Sequence, residues 1–241
     1  PSTLPTVTIE GETDGSTVTL TWNAPKSEGQ EETVTEDFEK CESFAIGKAG
    51  DFTFYDLDGS ITFGLDEGTF PGSGSAMSYI VFDSEQQSAV PAHSGNKCLA
   101  SFASTATAND DWVITPQLSG KAQTISFWCR SFKTRFGYDQ FEVLVSSTGT
   151  EVSDFTRLGD VRAATGVYAK EVVNVPEGTK YVAIRCISLQ LDAFLIDDIT
   201  FTKGAPAYEV LGYNIYRNGE KINDELVTST QYVDEVMGRA T

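Results

Sequence analysis

The chain has little of what several large classes of protein need. Its 241 residues include one histidine, His93, so a zinc site built on two histidines is excluded. Basic residues are also few: 17 Lys and Arg stand against 35 Asp and Glu, and the net charge of −18 opposes binding to nucleic acid or to an anionic membrane surface. No apolar run approaches the roughly 20 residues of a membrane-spanning helix. The sequence therefore predicts a protein that neither binds nucleic acid nor inserts into a membrane.

Cysteine is sparse and scattered. Cys41, Cys98, Cys129 and Cys186 form no C-x-x-C pair, and one histidine does not complete a metal-binding set. The last three lie inside apolar runs, KCLASF, SFWCRSF and AIRCISL, where a free cysteine packs as a small hydrophobic residue. This spacing favours buried thiols over disulfides.

Alternation of apolar and polar residues with a period of two runs through much of the chain. These runs are rich in β-branched and aromatic residues, turn dipeptides such as Asp58-Gly59 and Asn218-Gly219 separate them, and no capped segment of helical length is present. The absence of a short repeat excludes a propeller or a solenoid. We therefore predict an all-β protein with strands over residues 17–22, 124–129, 141–146, 181–187, 194–201 and 213–217.

Two segments far apart in the sequence resemble parts of one small sandwich. Residues 16–25, STVTLTWNAP, resemble the second strand of a fibronectin type III domain, with Trp22 directed into the core. Residues 211–222, LGYNIYRNGEKI, resemble its third strand and the following Asn-Gly hairpin. Most of the chain lies between them, which favours a second domain inserted into a surface loop. The alternative is a coincidental strand and an unrelated hairpin.

This interpretation divides the chain into three parts. Residues 1–33 and 204–241 form the two parts of a fibronectin type III-like domain, and residues 34–203 form the inserted domain. Two further strands would be expected after Asp234, so the smaller domain is predicted to be incomplete, with an open sheet edge.

Short phrases occur in a characteristic order between residues 34 and 202. They are DFE (37–39), HSG (93–95), NDDWVITP (109–116), ISFW (125–128), FEVLVSST (141–148) and LIDDI (195–199). Their order and content resemble the cleaved adhesin, or choice-of-anchor J, domains of the gingipain haemagglutinin region and of other secreted bacterial proteins, and they are also similar to MAM domains. The resemblance implies a jelly-roll β-sandwich that binds calcium structurally and serves in adhesion without catalysis. The fold class is thus a jelly roll inserted into a partial fibronectin type III-like sandwich.

Calcium requires about six to eight oxygen ligands, which acidic loops supply. In an extended strand, Asp37 and Glu39 would project from one face. The first and last strands of a jelly roll commonly lie adjacent, so Asp197 or Asp198 would complete the site, and only one of them can join because consecutive strand residues face opposite sides. Asn96 would add an amide oxygen. The alternative is that these acids cap turns or face water.

Asp56 and Asp58 are candidate ligands of a second calcium ion. The Asp-rich turn of the family is shortened here, with Phe63 near the position of the expected Trp, and this departure weakens the prediction of a site. In the following phrase, Trp112 is predicted to enter the core while one of the preceding aspartates binds turn amides.

The segment FKTRFGYD, residues 132–139, places aromatic and basic side chains in a predicted loop of an otherwise acidic chain. Loops on a rigid β scaffold commonly carry recognition. Phe136 and Tyr138 would stack on a ligand and Arg135 would pair with a carboxylate, or the two rings would close over the core. Residues 52–55 with Phe70 form a second candidate surface.

We therefore predict a non-enzymatic adhesion or ligand-binding module of a secreted or surface-attached bacterial protein, a monomeric part of a larger polypeptide. Its partner would be a host or matrix protein or a surface glycan. The alternative is a carbohydrate-binding accessory module of a secreted glycan-degrading system, since jelly rolls also serve as lectins. A third hypothesis is glycoside hydrolysis by two suitably spaced carboxylates.

Overall fold

The computed structural model describes residues 7–24, 31–204 and 210–235. The chain divides into two compact units, of which the larger is Glu31–Gly204 and the smaller comprises the segments before and after it. The prediction that the smaller domain is incomplete after Asp234 concerns residues 236–241, which lie outside the described residues.

Strands and loops account for almost all of the described chain. The helical element is one 3-10 turn, Val152–Asp154, and no helix in the described ranges has the length and apolar character needed to cross a bilayer. The strands, in chain order, are β1 (Ile9–Thr13), β2 (Thr17–Trp22), β3 (Glu32–Glu36), β4 (Thr53–Asp56), β5 (Ile80–Asp83), β6 (Lys97–Phe102), β7 (Asp111–Ile114), β8 (Gln123–Phe132), β9 (Gln140–Ser146), β10 (Thr156–Arg157), β11 (Arg162–Ala163), β12 (Ala169–Val175), β13 (Tyr181–Cys186), β14 (Ala193–Lys203), β15 (Tyr216–Arg217), β16 (Glu220–Lys221) and β17 (Gln231–Glu235).

The larger unit is a sandwich of two antiparallel sheets. One sheet has the order β10-β9-β13-β7-β4, with β11 also paired to β9. The other has the order β12-β8-β14-β6-β5, with β3 paired to β14. The first and last strands of the unit are therefore neighbours, as expected, and the prediction of an all-β sandwich is confirmed.

Strand alternation directs two sets of apolar side chains to opposite faces of the second sheet. The residues between the sheets form the main core, in which Phe141 stacks on Phe194 at a ring-centroid distance of 4.9 Å. The opposite face carries a second core, in which Phe70 packs against Phe82 and Phe102. Burial of each such ring stabilises the fold by about 2 kcal/mol. Phe52 and Phe70 are both buried, so the prediction that residues 52–55 with Phe70 form a ligand surface is wrong.

All four cysteines are free thiols. Cys98, Cys129 and Cys186 are buried in the two cores, whereas Cys41 is partly exposed. Burial raises the pKa of Cys98 and of Cys186 to about 12, because a thiolate is poorly solvated there. The prediction of buried thiols rather than disulfides is confirmed for these three residues.

The smaller unit brings together residues that are far apart in sequence. Its three-stranded sheet has the order β1-β2-β17, and β15 and β16 form a hairpin. Trp22 packs edge-on against Tyr213 with ring centroids 5.0 Å apart. The predicted strand 213–217 is reduced to β15, because Tyr213 pairs instead with Val227. The resemblance of the smaller unit to a fibronectin type III domain stays a prediction.

Candidate functional site

The turn at residues 93–97, which leads into β6, lies beside acidic side chains from the first and from the last part of the sequence of the larger unit. Asp197 of β14 accepts hydrogen bonds through Oδ2 from the backbone amides of His93, at 2.8 Å, and of Ser94, at 3.1 Å. Asp198 Oδ2 lies 2.6 Å from His93 Nδ1, and Asp198 Oδ1 accepts a hydrogen bond of 2.8 Å from Ser94 Oγ. Both carboxylates therefore face the same turn.

This convergence contradicts the expectation that only one of Asp197 and Asp198 faces the site. The register of β14 against β8 shifts between Asp197 and Thr200, and Asp198 has φ of +49°, so a β-bulge interrupts the strand alternation. Ligand atoms of His93, Asp197 and Asp198 lie within 4.8 Å of one another, which is close enough for one metal ion to contact all three residues.

Glu39 reaches the same turn from a turn of its own. Phe38 has φ of +59° and follows the end of β3, so the expected extended arrangement of Asp37 and Glu39 is wrong. Glu39 Oε1 accepts hydrogen bonds from the backbone amides of Asn96, at 2.8 Å, and of Lys97, at 2.6 Å. Asp37 is exposed and accepts a bond from the Glu39 amide. The structure thus brings Glu39 to the turn, where it binds the backbone amide of Asn96, and leaves Asp37 at the surface.

Two carboxylates, one buried and one partly buried, meet at this turn. Burial raises the pKa of Asp197 to about 7, and the charge of Asp198 acts in the same direction, while backbone amides oppose it. The His93 ring stacks on Trp128 at 4.0 Å and meets the edge of Tyr168 at 5.3 Å, which holds the imidazole beside the two carboxylates.

A second acidic cluster lies where β4 ends and β7 begins. Asp56 pairs across the strands with Asp111, and the ligand atoms of Asp56, Asp58 and Asp111 lie within 4.8 Å of one another. Asp111 Oδ2 accepts hydrogen bonds from Ser101 Oγ, at 2.7 Å, and Asn109 Nδ2, at 2.8 Å. Asp111 is only 1% exposed, and its Oδ1 is buried and has no hydrogen-bond partner among the described residues. Burial, with the charges of Asp58 and Asp56, raises the pKa of Asp111 to about 8.

Asp111 is absent from the sequence-based set of candidate ligands. The signal for it is the alternation of β7, which places Asp111 on the same face as Val113 of the main core. On the other face, Asp110 accepts a hydrogen bond from Trp112 Nε1 at 2.6 Å and pairs with Arg185. Trp112 is thus buried as predicted, while these two aspartates bind side chains rather than the expected turn amides.

A groove of about 470 Å³ opens at the end of the sandwich where β4 ends and β7 begins. Three segments form its walls: the one after β4, the β8–β9 loop and the β13–β14 loop. Phe102 and Phe132, at the ends of β6 and β8, also line it. The remaining lining residues are Phe63, Gly64, Leu65, Asp66, Lys133, Arg135, Phe136, Gln190, Leu191 and Asp192.

Ion pairs tie the walls of the groove together. Arg135 donates to Asp66 at 3.0 Å and to Asp192 at 2.9 Å, so the β8–β9 loop is bound to both of the other walls. Lys133 lies 2.6 Å from Glu67 and 3.4 Å from Asp66. Hydrogen bonds from Arg135 and Lys133 hold the pKa of Asp66 below its usual value, so this carboxyl stays ionised. The two cations of the rim are therefore paired, whereas Asp192 Oδ2 is buried and has no hydrogen-bond partner among the described residues.

Two aromatic rings stand exposed at the groove. Phe136 is 66% exposed, with the Arg135 guanidinium 4.8 Å from its ring centroid, and Phe63 is 49% exposed. Tyr138 is also exposed but does not line the groove. The alternative that Phe136 and Tyr138 close over the core is therefore wrong. Sequence reasoning noted Phe63 only for its position near the expected Trp, because no local pattern shows that its loop meets residues 133–136.

The β8–β9 loop ends at a buried acid, Asp139, which should make stability depend on pH. Burial raises its pKa from 3.8 to about 6, Asp139 is 2% exposed, and its Oδ2 is unpartnered in the part of the chain that the structure describes. The folded state therefore binds the proton more tightly than the unfolded state does. The contribution of this group to stability is largest below pH 4 and is lost as the pH rises to about 6.

We expect Asp139→Asn to remove this loss. A pKa difference of about two units corresponds to about 3 kcal/mol. The free energy of unfolding of the variant, relative to that of the wild type, should therefore be about 1 to 3 kcal/mol higher at pH 8 than at pH 4. Urea unfolding at the two pH values measures it. Asp160→Asn, the same change at an exposed loop position, serves as the control. Equal pH dependence of wild type and Asp139→Asn would contradict the expectation.

Comparison with known proteins agrees with this architecture. The family profile of the Cleaved Adhesin Domain matches residues 73–201, which is more than half of the chain. The chain belongs to the cleaved adhesin family. This cleaved adhesin chain is 30% identical over 227 residues to gingipain R1 and to haemagglutinin A, both of Porphyromonas gingivalis, and each match covers 83% of the chain.

Solved structures of the same family share the fold. The K2 cleaved adhesin domain of Lys-gingipain is 25% identical, with a TM-score of 0.58, and the match covers 70% of this chain and 99% of that domain. The K1 domain of Lys-gingipain from Porphyromonas gingivalis is 21% identical, with a TM-score of 0.56. That match covers 72% of this chain and 99% of the K1 domain. The chain spans only 13% of the length of gingipain R1 and 8% of that of haemagglutinin A. It is thus an adhesion module of the cleaved adhesin type.

Proposed function

We propose that this cleaved adhesin chain is a non-catalytic module of a larger secreted or surface-attached bacterial protein, that it holds structural calcium, and that it binds its ligand at the groove. The groove carries the proposal, because it combines a concave shape with two exposed aromatic rings at one end of a rigid sandwich.

The orphaned oxygen of Asp111 supports a calcium ion at the second acidic cluster. A buried, unpartnered carboxylate oxygen is costly unless a cation or a proton compensates it. Asp56, Asp58 and Asp111 supply oxygen ligands of the type that calcium prefers. The two positive charges of the ion would offset most of the repulsion among the three carboxylates, and the ion would tie the segment after β4 to β7.

Asp197 and Asp198 are the candidates for a further calcium ion at the 93–97 turn. Oxygen ligands from the acids and from backbone carbonyls suit calcium, and the imidazole of His93 is already bound to Asp198. The ion would stabilise the junction of β14 with the turn. Glu39 accepts hydrogen bonds from the Asn96 and Lys97 amides and so stabilises the conformation of the turn.

The arrangement of His93 and Ser94 supports a non-catalytic role. A hydrolytic triad places the hydroxyl, the imidazole and the carboxylate in series. Here Ser94 Oγ and His93 Nδ1 both bind Asp198 instead. The carboxylates of the groove are likewise engaged by Arg135 and Lys133.

Adhesion can be tested directly with erythrocytes, a cell-surface probe suggested by the name of the relative haemagglutinin A. We expect fluorescently labelled chain to bind them saturably in calcium. Phe136→Ala should weaken binding by about tenfold or more, since an aromatic anchor residue contributes about 2 kcal/mol and each 1.4 kcal/mol or so corresponds to a factor of ten. Val172→Ala, which removes an exposed apolar side chain on β12, is the matched control and should bind as the wild type does. Absence of saturable binding would contradict the proposed function, and equal binding by Phe136→Ala would contradict the groove as its site.

A further inference from the structure

We propose that the groove recognises an uncharged glycan, through stacking on Phe136 and Phe63 and hydrogen bonds to the ion-paired side chains of its rim. This inference rests on the proposed function, of which it names the ligand class.

Charge argues against an anionic ligand. Two cations, Lys133 and Arg135, face three carboxylates, Asp66, Glu67 and Asp192, so the rim carries one excess negative charge. The whole chain carries −18. A sialylated or sulfated glycan would approach against this field and would find both cations already paired.

The pairing also argues against a cationic ligand. Arg135 occupies Asp66 and Asp192, and Lys133 occupies Glu67, at distances of 2.6 to 3.0 Å. A lysine or arginine of a protein partner would have to share a carboxylate with one of these internal cations, and the repulsion between the two cations would weaken its binding. A sugar hydroxyl meets no such repulsion, because a carboxylate oxygen accepts further hydrogen bonds and a guanidinium retains unused N–H groups.

The apolar part of the groove suits a pyranose ring. Phe136 and Phe63 present exposed ring surface, and Arg135 lies against the Phe136 ring. An aromatic face packs against the C–H groups of a sugar, while nearby planar polar groups bind its hydroxyls. Gln190 adds an uncharged amide to the wall, with a donor and an acceptor.

The walls are held in defined conformations. Lys133 and Gln190 are non-glycine residues with φ of +58° and +52°, and they lie on the two loops that Arg135 and Asp192 connect. Left-handed backbone at such residues is strained and is concentrated at functional sites, where the surrounding contacts maintain it. A pre-organised groove loses less entropy when it binds a ligand.

The test is a glycan panel with charge-matched pairs. Lactose, N-acetyllactosamine, cellobiose and maltotriose are the neutral probes, with the sialylated forms of the first two and an oligolysine peptide as charged probes. We expect measurable binding by calorimetry for at least one neutral probe, none for oligolysine, and a loss of about tenfold or more on sialylation of a bound probe.

Variants then assign the site. Phe136→Ala and Phe63→Ala should each weaken binding of the neutral probe about tenfold or more. Arg135→Lys should weaken it as well, because the charge is retained but the planar fork is lost. Val172→Ala should leave the affinity unchanged.

Binding confined to sialylated probes or to oligolysine, or absent for every neutral probe, would overturn the inference. If erythrocyte binding depends on Phe136 and no neutral glycan competes with it, the adhesive function stands and the ligand class is wrong. If erythrocytes are not bound at all, the proposed function fails first.

Discussion

Removal of calcium is expected to lower the melting temperature of the larger unit by on the order of 10 °C for each ion that is bound. An ion bound only by the folded state stabilises it by about 4 kcal/mol per site when its concentration is a thousand times its Kd. For a unit of this size, each kcal/mol shifts the melting temperature by about 2 to 4 °C. Scanning calorimetry in calcium and in excess chelator measures the shift.

Two variants separate the contributions of the two acidic clusters. Asp111→Asn removes a charged ligand from the Asp56–Asp58–Asp111 cluster, and Asp198→Asn removes one from the 93–97 turn. Each should reduce the calcium-dependent shift without abolishing it, and Asp160→Asn should leave it unchanged. A melting temperature of the wild-type chain that is the same in calcium and in chelator would remove the calcium proposal altogether.

Gly95→Ala is expected to destabilise the larger unit by about 3 to 5 kcal/mol. Gly95 has φ of +54°, and a Cβ atom there would lie 2.5 Å from both Cδ and Oε1 of Glu39. The Glu39 carboxylate would have to leave the turn and lose its bonds to the Asn96 and Lys97 amides, each worth about 1.5 to 3 kcal/mol as a charged hydrogen bond. Chemical denaturation of the two proteins gives the difference.

Gly159→Ala is the matched control for this variant. Gly159 also has positive φ, +82°, but no atom lies within 4 Å of the place that an added Cβ would take. It should cost only the backbone strain, about 1 to 2 kcal/mol. If both alanine variants lose the same stability, the close approach of Glu39 to the turn contributes nothing. If Gly95→Ala loses more and also responds less to calcium, the turn couples Glu39 to the metal site.

Several strands could be predicted to within two residues because each carries its own pattern. β2 matches the predicted 17–22, and β9 and β14 each differ from their predictions by one or two residues at the ends. The expectation failed at residues 213–217, where Tyr213 pairs with Val227 and leaves β15 with two residues. A period of two shows that a segment can form a strand, but the partner decides how much of it does.

The candidate site was predicted in part. Asp56, Asp58, Asp197 and Asp198 do lie in clusters of possible ligands, but Asp111 and His93 join them and Asp37 does not. Asp37 fails because Phe38 adopts a left-handed conformation, which turns the segment out of the strand. The bulge at Asp198 has the opposite effect and brings in a residue that alternation assigns to the other face.

By itself the sequence determined the all-β class, the acidic surface that disfavours anionic partners, and the burial of most of its apolar residues, because these depend on composition and on short-range periodicity. Only the tertiary structure decided which acids meet and that Phe63, Phe136 and Arg135 line the same groove. Those contacts join loops that are far apart in the sequence, and their geometry depends on bulges and left-handed turns that the packing of the whole sandwich maintains.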